Sequence, residues 1–462
     1  MCTSLYAHLK QNSVVPILNS TVSAGNKIAE VDDTGNSSGN HLHLQIIVHQ
    51  SDTPQMSGAD PSLGWTEPNS RNAELWLAAF NNGSTQTGTA VGLVTDINGN
   101  PVGGLKITGI QKPASATSGT YGYSETYTEA NENPDDISVE NFATTDVAPG
   151  VYHLNAYNSN GTLYRDLGQY TFAAGRTTYV GLYPNYLPDV LNFGTWVSNI
   201  TVRNNSESRT AKVNTTFFWS SGAVKEQRQD SLAPRASLTF PSATAFIGSA
   251  LVMGSEDLSV VVEGERDSRT ERMNYTGIRA AGGSPGWETV GTTLYAPIVK
   301  RSYYGRSSAL RITNTGSQST EVYVEFYNAS GASTTVGPYP LAAGARTTVL
   351  PTDVGNNNPN GGCPATVTLC SARIRSSANQ PLTATVDEYR DSDGKVATDH
   401  NLFSAGAQSS YLPVVKNHWY NNNTGLGVQN VGGGSANLTF SFYDQVGNLR
   451  CTLYRNLPPP CR

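Results

Sequence analysis

Hydrophobic and polar residues alternate in short runs along much of the chain. Leu42-His43-Leu44-Gln45-Ile46, Ile200-Thr201-Val202-Arg203-Asn204 and Leu310-Arg311-Ile312-Thr313-Asn314 share this period of two. Such a period places successive side chains on opposite faces of a strand. The runs are divided by Gly, Pro, Asn and Asp, the residues that turns require. The pattern predicts an all-β chain built from many short strands.

From residue 183 the pattern repeats. Tyr186-Leu187-Pro188-Asp189-Val190, Tyr295-Ala296-Pro297-Ile298-Val299 and Tyr411-Leu412-Pro413-Val414-Val415 begin three copies whose starts lie 109 and 116 residues apart. Each is followed by an alternating run ending in Asn204, Asn314 or Asn430, at offsets of 18, 19 and 19 residues from the tyrosine. A period near 110 residues denotes a tandem array of whole domains, not a solenoid of small units. Strand number and turn spacing fit Ig-like sandwiches at 183–293 and 294–409, with an incomplete copy at 410–462. Tyr303, Tyr304 and Trp419 are candidate platforms for sugar rings, with core packing or junction anchoring as the plainer alternative.

Two further regions precede the repeats. Residues 88–182 read as a sandwich of their own: a strand through Val91–Val94, an Asn98-Gly99 turn and a second strand at Val102, then Pro149-Gly150-Val151-Tyr152-His153-Leu154. This pattern resembles carboxypeptidase-regulatory-like or Cna-B-like prealbumin sandwiches. Some relatives carry isopeptide bonds, which directs attention to Lys106 and Glu140, although no Asn partner is apparent. His153 reads as an ordinary outward strand residue. Residues 51–87 read as a linker holding one apolar island, with Trp76 as its anchor.

The first 50 residues hold the chemistry. If His41 and His43 share a strand, they face the same side, while Leu42, Leu44 and Ile46 face a core. Two imidazoles on one face can ligate a metal, or one can ligate while the other moves a proton. A second short strand, Leu5-Tyr6-Ala7-His8-Leu9, brings another histidine. Further strands are expected at Val14-Val15-Pro16 and Val22–Ala29, and His49 reads as a surface residue at a strand end.

Tyr6-Ala7-His8-Leu9, Gly25, Ile28, Thr34-Gly35, Ser38-Gly39 and His41-Leu42-His43 together resemble the second half of the lysostaphin/LytM family of zinc endopeptidases, which cut peptide bonds in bacterial peptidoglycan. The resemblance covers about the first 50 residues. It implies that His43 is a zinc ligand and that His8 and His41 are catalytic, orienting or deprotonating the metal-bound water and steadying the oxyanion. The family takes two more ligands from an upstream His-x-x-x-Asp segment that this sequence does not contain. A catalytic zinc needs three protein ligands and a water. The expectation is therefore a truncated peptidase remnant unable to hold zinc as written, with Asp32 and Asp33 not counted as replacement ligands.

Composition narrows the setting. Charged residues make up 14% of the chain and the net charge is −6. A nucleic-acid-binding surface needs a basic stripe, which is lacking. No apolar run is long enough for a membrane span, and no signal segment is visible. Cys363/Cys370 and Cys451/Cys461 are each spaced to staple a short loop, leaving Cys2 over; reduced, buried cysteines are the alternative. Local cysteine pairs favour an extracellular or cell-envelope location. The expected partners are peptidoglycan or other extracellular polymers. Two functions remain open: a secreted cell-wall peptidase whose β domains form a stalk, or a non-catalytic adhesion or carbohydrate-binding protein.

Overall fold

A computed structural model describes residues 2–23, 26–48, 70–75, 81–82, 85–110, 124–127, 139–266, 271–279, 290–316, 318–353, 363, 368–394, 396–412, 415, 424–444 and 446–458. As the alternating pattern predicts, the described residues are nearly all strand or turn. They form several separate, almost entirely antiparallel sheets, and the one helical element is a single 3₁₀ turn at Ala73–Leu75. The chain divides into two compact units, one of residues 1–182 with 208–212, the other of 183–207 with 213–462.

The first unit opens with a three-stranded sheet of β1 (Cys2–Ala7), β2 (His43–Val48) and β3 (Ser70–Arg71), in that order. Among the described residues no strand forms at 14–16 or 22–29; Val14, Val15 and Val22 are exposed. That stretch is held by isolated contacts such as the Val15 amide on the Ile28 carbonyl. Its apolar residues are too few and too scattered to bury a face, so the ladder the sequence suggests does not form.

After a two-residue ribbon, β4 (Asn81–Asn82) with β5 (Thr85–Gln86), the unit builds a sandwich. Its strands are β6 (Gly88–Gly92), β7 (Lys106–Thr108), β8 (Ser124–Glu125), β9 (Phe142–Val147), β10 (Gly150–Tyr157), β11 (Leu163–Phe172) and β12 (Thr177–Val180). The sheets run β11-β10-β7-β8 and β12-β6-β9. Ala90, Ile107, Phe142, Leu154, Phe172 and Val180 fill the space between them. The expected Asn98-Gly99 turn is present. Asp96 accepts the Asn98 and Asn100 amides at 2.8 Å, and Gly99 takes φ +84°, open to glycine at little cost.

The second unit shows why the repeat exists. Its first copy holds β13 (Tyr183–Phe193), β14 (Trp196–Asn204), β15 (Ala211–Trp219), β16 (Val224–Leu232), β17 (Ser237–Pro241), β18 (Phe246–Gly254), β19 (Leu258–Arg266) and β20 (Glu271–Thr276), plus the short β21 (Ile278–Arg279). The next copy holds β22 (Thr293–Lys300), β23 (Arg306–Asn314), β24 (Thr320–Tyr327), β25 (Ser333–Leu341), β26 (Arg346–Val349), β27 (Leu369–Ser376), β28 (Leu382–Arg390) and β29 (Val396–Asn401). The order β16-β15-β18-β13 in one copy is matched by β25-β24-β27-β22 in the other. The set β17, β14, β19, β20 is likewise matched by β26-β23-β28-β29.

Two recurring sequence features now have physical causes. The Tyr-x-Pro motif marks a β-bulge: pairing breaks between Leu187 and Val190 in β13, and between Ala296 and Val299 in β22. Proline has no N–H for the ladder and is tolerated where pairing is interrupted. The recurring asparagine is a clasp. Buried Asn314 donates to the Gln318, Leu341 and Ala342 carbonyls and accepts the Gly316 amide. Asn204 donates to Leu232 and Ala233 and accepts from Ser206. Asn430 repeats the arrangement with Gly434, Leu457, Pro458 and Gly432. It thereby identifies the last hairpin, β30 (Ala436–Tyr443) and β31 (Leu449–Leu457), as the counterpart of β24–β25.

A buried polar network packs β13 and β20 against strands of the following copy. The Arg346 guanidinium pairs with Asp189, a bulge residue, and donates to the Gly248 carbonyl at 3.2 Å; the side chains of the pair are 3% and 1% exposed. Arg311 Nε donates to Asp387 at 2.6 Å, and the Asn274 amide donates to Asp399 at 3.0 Å. Burial, with the Asp189 charge added, holds Asp387 up at about 7 and Asp399 up at about 6. Tyr275 donates its hydroxyl to the Asp189 carbonyl.

Candidate functional site

The N-terminal sheet brings three histidines together. β1 ends at Ala7, and His8 turns out of it in a left-handed conformation, φ +58°. Antiparallel pairing sets Ala7 opposite His43, the first residue of β2. His41 therefore lies before the strand, and Leu42 is exposed rather than packed inward as the alternation suggests; Ile46, further along, is buried. The sheet has not yet formed at residue 42, so the period of two has nothing to act on there. The rings converge nonetheless. His8 lies 4.6 Å from His41 and 6.1 Å from His43, centroid to centroid.

The Thr34-Gly35 stretch fixes the first ring. His8 Nδ1 is 2.8 Å from the Thr34 carbonyl, and the Thr34 hydroxyl donates to the Leu9 carbonyl at 2.6 Å. Gly35 follows at φ +83°, a conformation that favours glycine. His41 Nδ1 is 2.8 Å from the Gly39 carbonyl and 3.3 Å from the Ser37 hydroxyl. A carbonyl can only accept, so in both rings Nδ1 carries the proton and Nε2 keeps its lone pair in the neutral form. Partial burial, aided by the charges of His8 and His41, lowers the pKa of His43. That favours the neutral imidazole, the form that binds metals or accepts protons.

Asp32 contributes through its backbone: its amide donates to the His8 carbonyl, and its own carbonyl accepts the His41 amide. Among the described residues no group of three His, Cys, Asp or Glu side chains is placed to hold a metal. The chemistry of the donor set is therefore incomplete for zinc, which requires three protein ligands.

The remaining candidates fall elsewhere. His153 is exposed and 2.7 Å from Asp166, an ordinary surface pair. Lys106 lies on the exposed phase of β7, whereas Glu140 is fully buried and accepts the Tyr127 hydroxyl at 2.5 Å, so the isopeptide pairing is not supported. Glu74, in the 3₁₀ turn, accepts both the amide and the hydroxyl of Thr145 and fastens its segment to β9. Cys363 and Cys370 form the expected disulfide. Among the described residues Cys451 is a free, exposed thiol, and the Cys461 expected to pair with it lies outside them. His49, Trp76, Trp419 and Cys461 lie outside the described residues.

The clasping asparagines and the Asp189–Arg346 network were not found from sequence. The Asn recurrence was visible, but its carbonyl partners lie 27 and 28 residues away and are set by hairpin closure. No helix of the described residues is long and apolar enough to cross a membrane. No curated protein and no solved structure matches the chain. Residues 1–55 match the model of Peptidase family M23, the metallopeptidase family to which the histidine-bearing sheet points.

Proposed function

We propose that residues 1–55 are the histidine-bearing part of a metalloendopeptidase that acts on peptide bonds in bacterial peptidoglycan outside the cytoplasm, and that the β domains form its stalk. The observation that carries the reading is the convergence of the His8, His41 and His43 rings, with His8 fixed on the Thr34 carbonyl and His41 on the Gly39 carbonyl. In this reading His8 and His41 present Nε2 as proton acceptors, then return the proton to the leaving amine. As imidazolium ions they steady the negative charge that develops on the carbonyl oxygen. His43 is the ligand-side residue. Zinc does not fit the described donor set as a complete site, and no step is derived through it.

The test extends the chain at its N-terminus with a family segment carrying His-x-x-x-Asp. Zinc content and clearing of peptidoglycan suspensions are then measured for the original and extended chains. The expected result is no stoichiometric zinc and no clearing by the original chain, and both by the extended one. His43→Ala then loses the metal, while His8→Ala and His41→Ala keep it and lose turnover. An extended chain that holds zinc as tightly without His43 overturns the assignment.

A second reading rests on exposed aromatics of the β domains such as Tyr304 and Tyr454: an extracellular binding protein whose β domains carry the function. It predicts that the extended chain folds and still clears nothing.

A further inference from the structure

The turn joining β22 to β23 carries a half-buried tyrosine, Tyr303, and an exposed one, Tyr304. Tyr304 is 88% exposed, and its ring stands edge-on to that of Tyr303 at 4.6 Å between centroids. The loop is held in one shape. Ser302 and Tyr304 take φ +50°, and Gly305 takes φ +72°. The amide of Tyr303 donates to the Arg306 carbonyl and the amide of Arg306 to the Tyr303 carbonyl, while the Ser302 amide is taken by the Ser307 hydroxyl. A tyrosine in the left-handed region is strained, and nothing in the core requires it there.

Charged groups sit directly beneath. Glu388 accepts from Lys300 Nζ at 2.6 Å and from Arg306 Nη1 at 3.3 Å, and Arg306 is 41% exposed. Lys300 Nζ also lies 6.0 Å from the Tyr303 ring. Flat aromatic faces flanked by fixed donors and acceptors suit a ligand with an apolar face and a rim of hydroxyls.

The feature recurs. The matching β13–β14 hairpin shows Phe193, largely exposed, beside Trp196, with Gly194 between them at φ +64°. The third copy reads Lys416-Asn417-His418-Trp419-Tyr420-Asn421 where the second reads Lys300-Arg301-Ser302-Tyr303-Tyr304-Gly305. A single exposed aromatic needs no explanation. Aromatics at the matching turn of two tandem copies, with aromatics at the same sequence positions of the third, do.

We propose that the β22–β23 turn is a glycan-binding tip that stacks a pyranose ring on its aromatics and bonds the ring hydroxyls to Lys300, Arg306 and Glu388, and that the β13–β14 hairpin is a second stacking tip. One tip per domain suits a polysaccharide, whose repeating units let several weak tips engage one strand. The assignment stands independently of the peptidase reading, since no histidine of the N-terminal sheet takes part.

The test measures retention of the full chain on insoluble glycan strands from sacculi stripped of stem peptides, and the affinity of a soluble N-acetylglucosamine hexamer. The variant Tyr304→Ala removes an exposed ring, Tyr303→Ala/Tyr304→Ala removes the half-buried ring beside it as well, and Tyr304→Phe keeps the stacking face. Wild type and Tyr304→Phe are expected to be retained, with the double variant weaker by about tenfold. Unfolding midpoints of Tyr304→Ala and Tyr304→Phe should equal wild type, and Tyr304→Ala alone should already weaken retention. Three results overturn the proposal: no retention of wild type on the glycan, no change in the variants, or loss by the variants of binding to phosphatidylglycerol vesicles but not to glycan. None of these bears on zinc or on turnover.

Discussion

Replacing Arg346 by Met tests whether the buried ion pair holds the second unit together. The methionine keeps most of the volume but removes the charge from a site where the two side chains are 3% and 1% exposed. Breaking one partner of such a pair costs about 3–5 kcal/mol, because the other charge stays buried without its partner. A ceiling applies. A stranded carboxylate can take up a proton, which from an ordinary carboxyl value costs about 4 kcal/mol at pH 7 and about 1.5 kcal/mol at pH 5. The penalty should therefore be close to 4 kcal/mol near neutrality and roughly half that or less at pH 5. In the wild type, Asp387 is held up at about 7 and Asp399 at about 6. Both titrate above an unfolded carboxyl. Their contribution to stability is thus full below pH 4, roughly, and is lost as pH rises through the range from 6 to 7. Without Arg346 that loss should steepen. Urea unfolding at pH 5 and pH 8, with hydrogen exchange on the β13 and β26 peptides, reads both effects. Asp189→Asn added to Arg346→Met should recover much of the loss in a double-mutant cycle. A cost below about 1 kcal/mol at pH 8, or one larger at pH 5 than at pH 8, would refute the reasoning.

Three more outcomes are expected. Asn314→Ala strips three carbonyls and one amide of their partner. It should cost about 2–4 kcal/mol in denaturant unfolding, and Asn430→Ala less, because its partners are more exposed and water replaces the amide. Replacing Cys363 and Cys370 by Ser opens a loop with a sequence separation of 7, and chain entropy alone puts the loss near 2.5 kcal/mol; a midpoint unchanged by the substitution counts against that account. The His43 imidazole should titrate below an ordinary histidine in an NMR pH series, with its midpoint rising in His8→Ala, because the His8 charge adds to burial in lowering it. Since the folded pKa is lowered, the stability it contributes is present above the ordinary histidine value and is lost as pH falls through that range.

The alternating runs and turn residues determined that this is a chain of β-sandwich strands, and the repeats were legible in the Tyr-x-Pro and Asn spacings. Both are local properties: strand periodicity and turn chemistry act over a few residues. The cluster of candidate histidines was legible because Tyr6-His8 and His41-His43 lie within one short segment. Their faces were not. Leu42 is exposed because pairing begins only at His43, and where a ladder starts is decided by register, not by the pattern of one strand. The unformed strands near Val14 and Val22 fail for a related reason, since a strand needs a partner and a face to bury. The Asn clasps join carbonyls 27 and 28 positions away, the Asp189–Arg346 pair spans 346 − 189 = 157 positions, and the Asp189 charge acts on Asp399 across 399 − 189 = 210, and only folding brings those side chains into one low-dielectric space. Sequence alone showed the tip tyrosines but not their setting. The exposure and left-handed backbone of Tyr304, and the neighbouring charge trio, come from how the turn closes and from the Glu388 that β28 supplies.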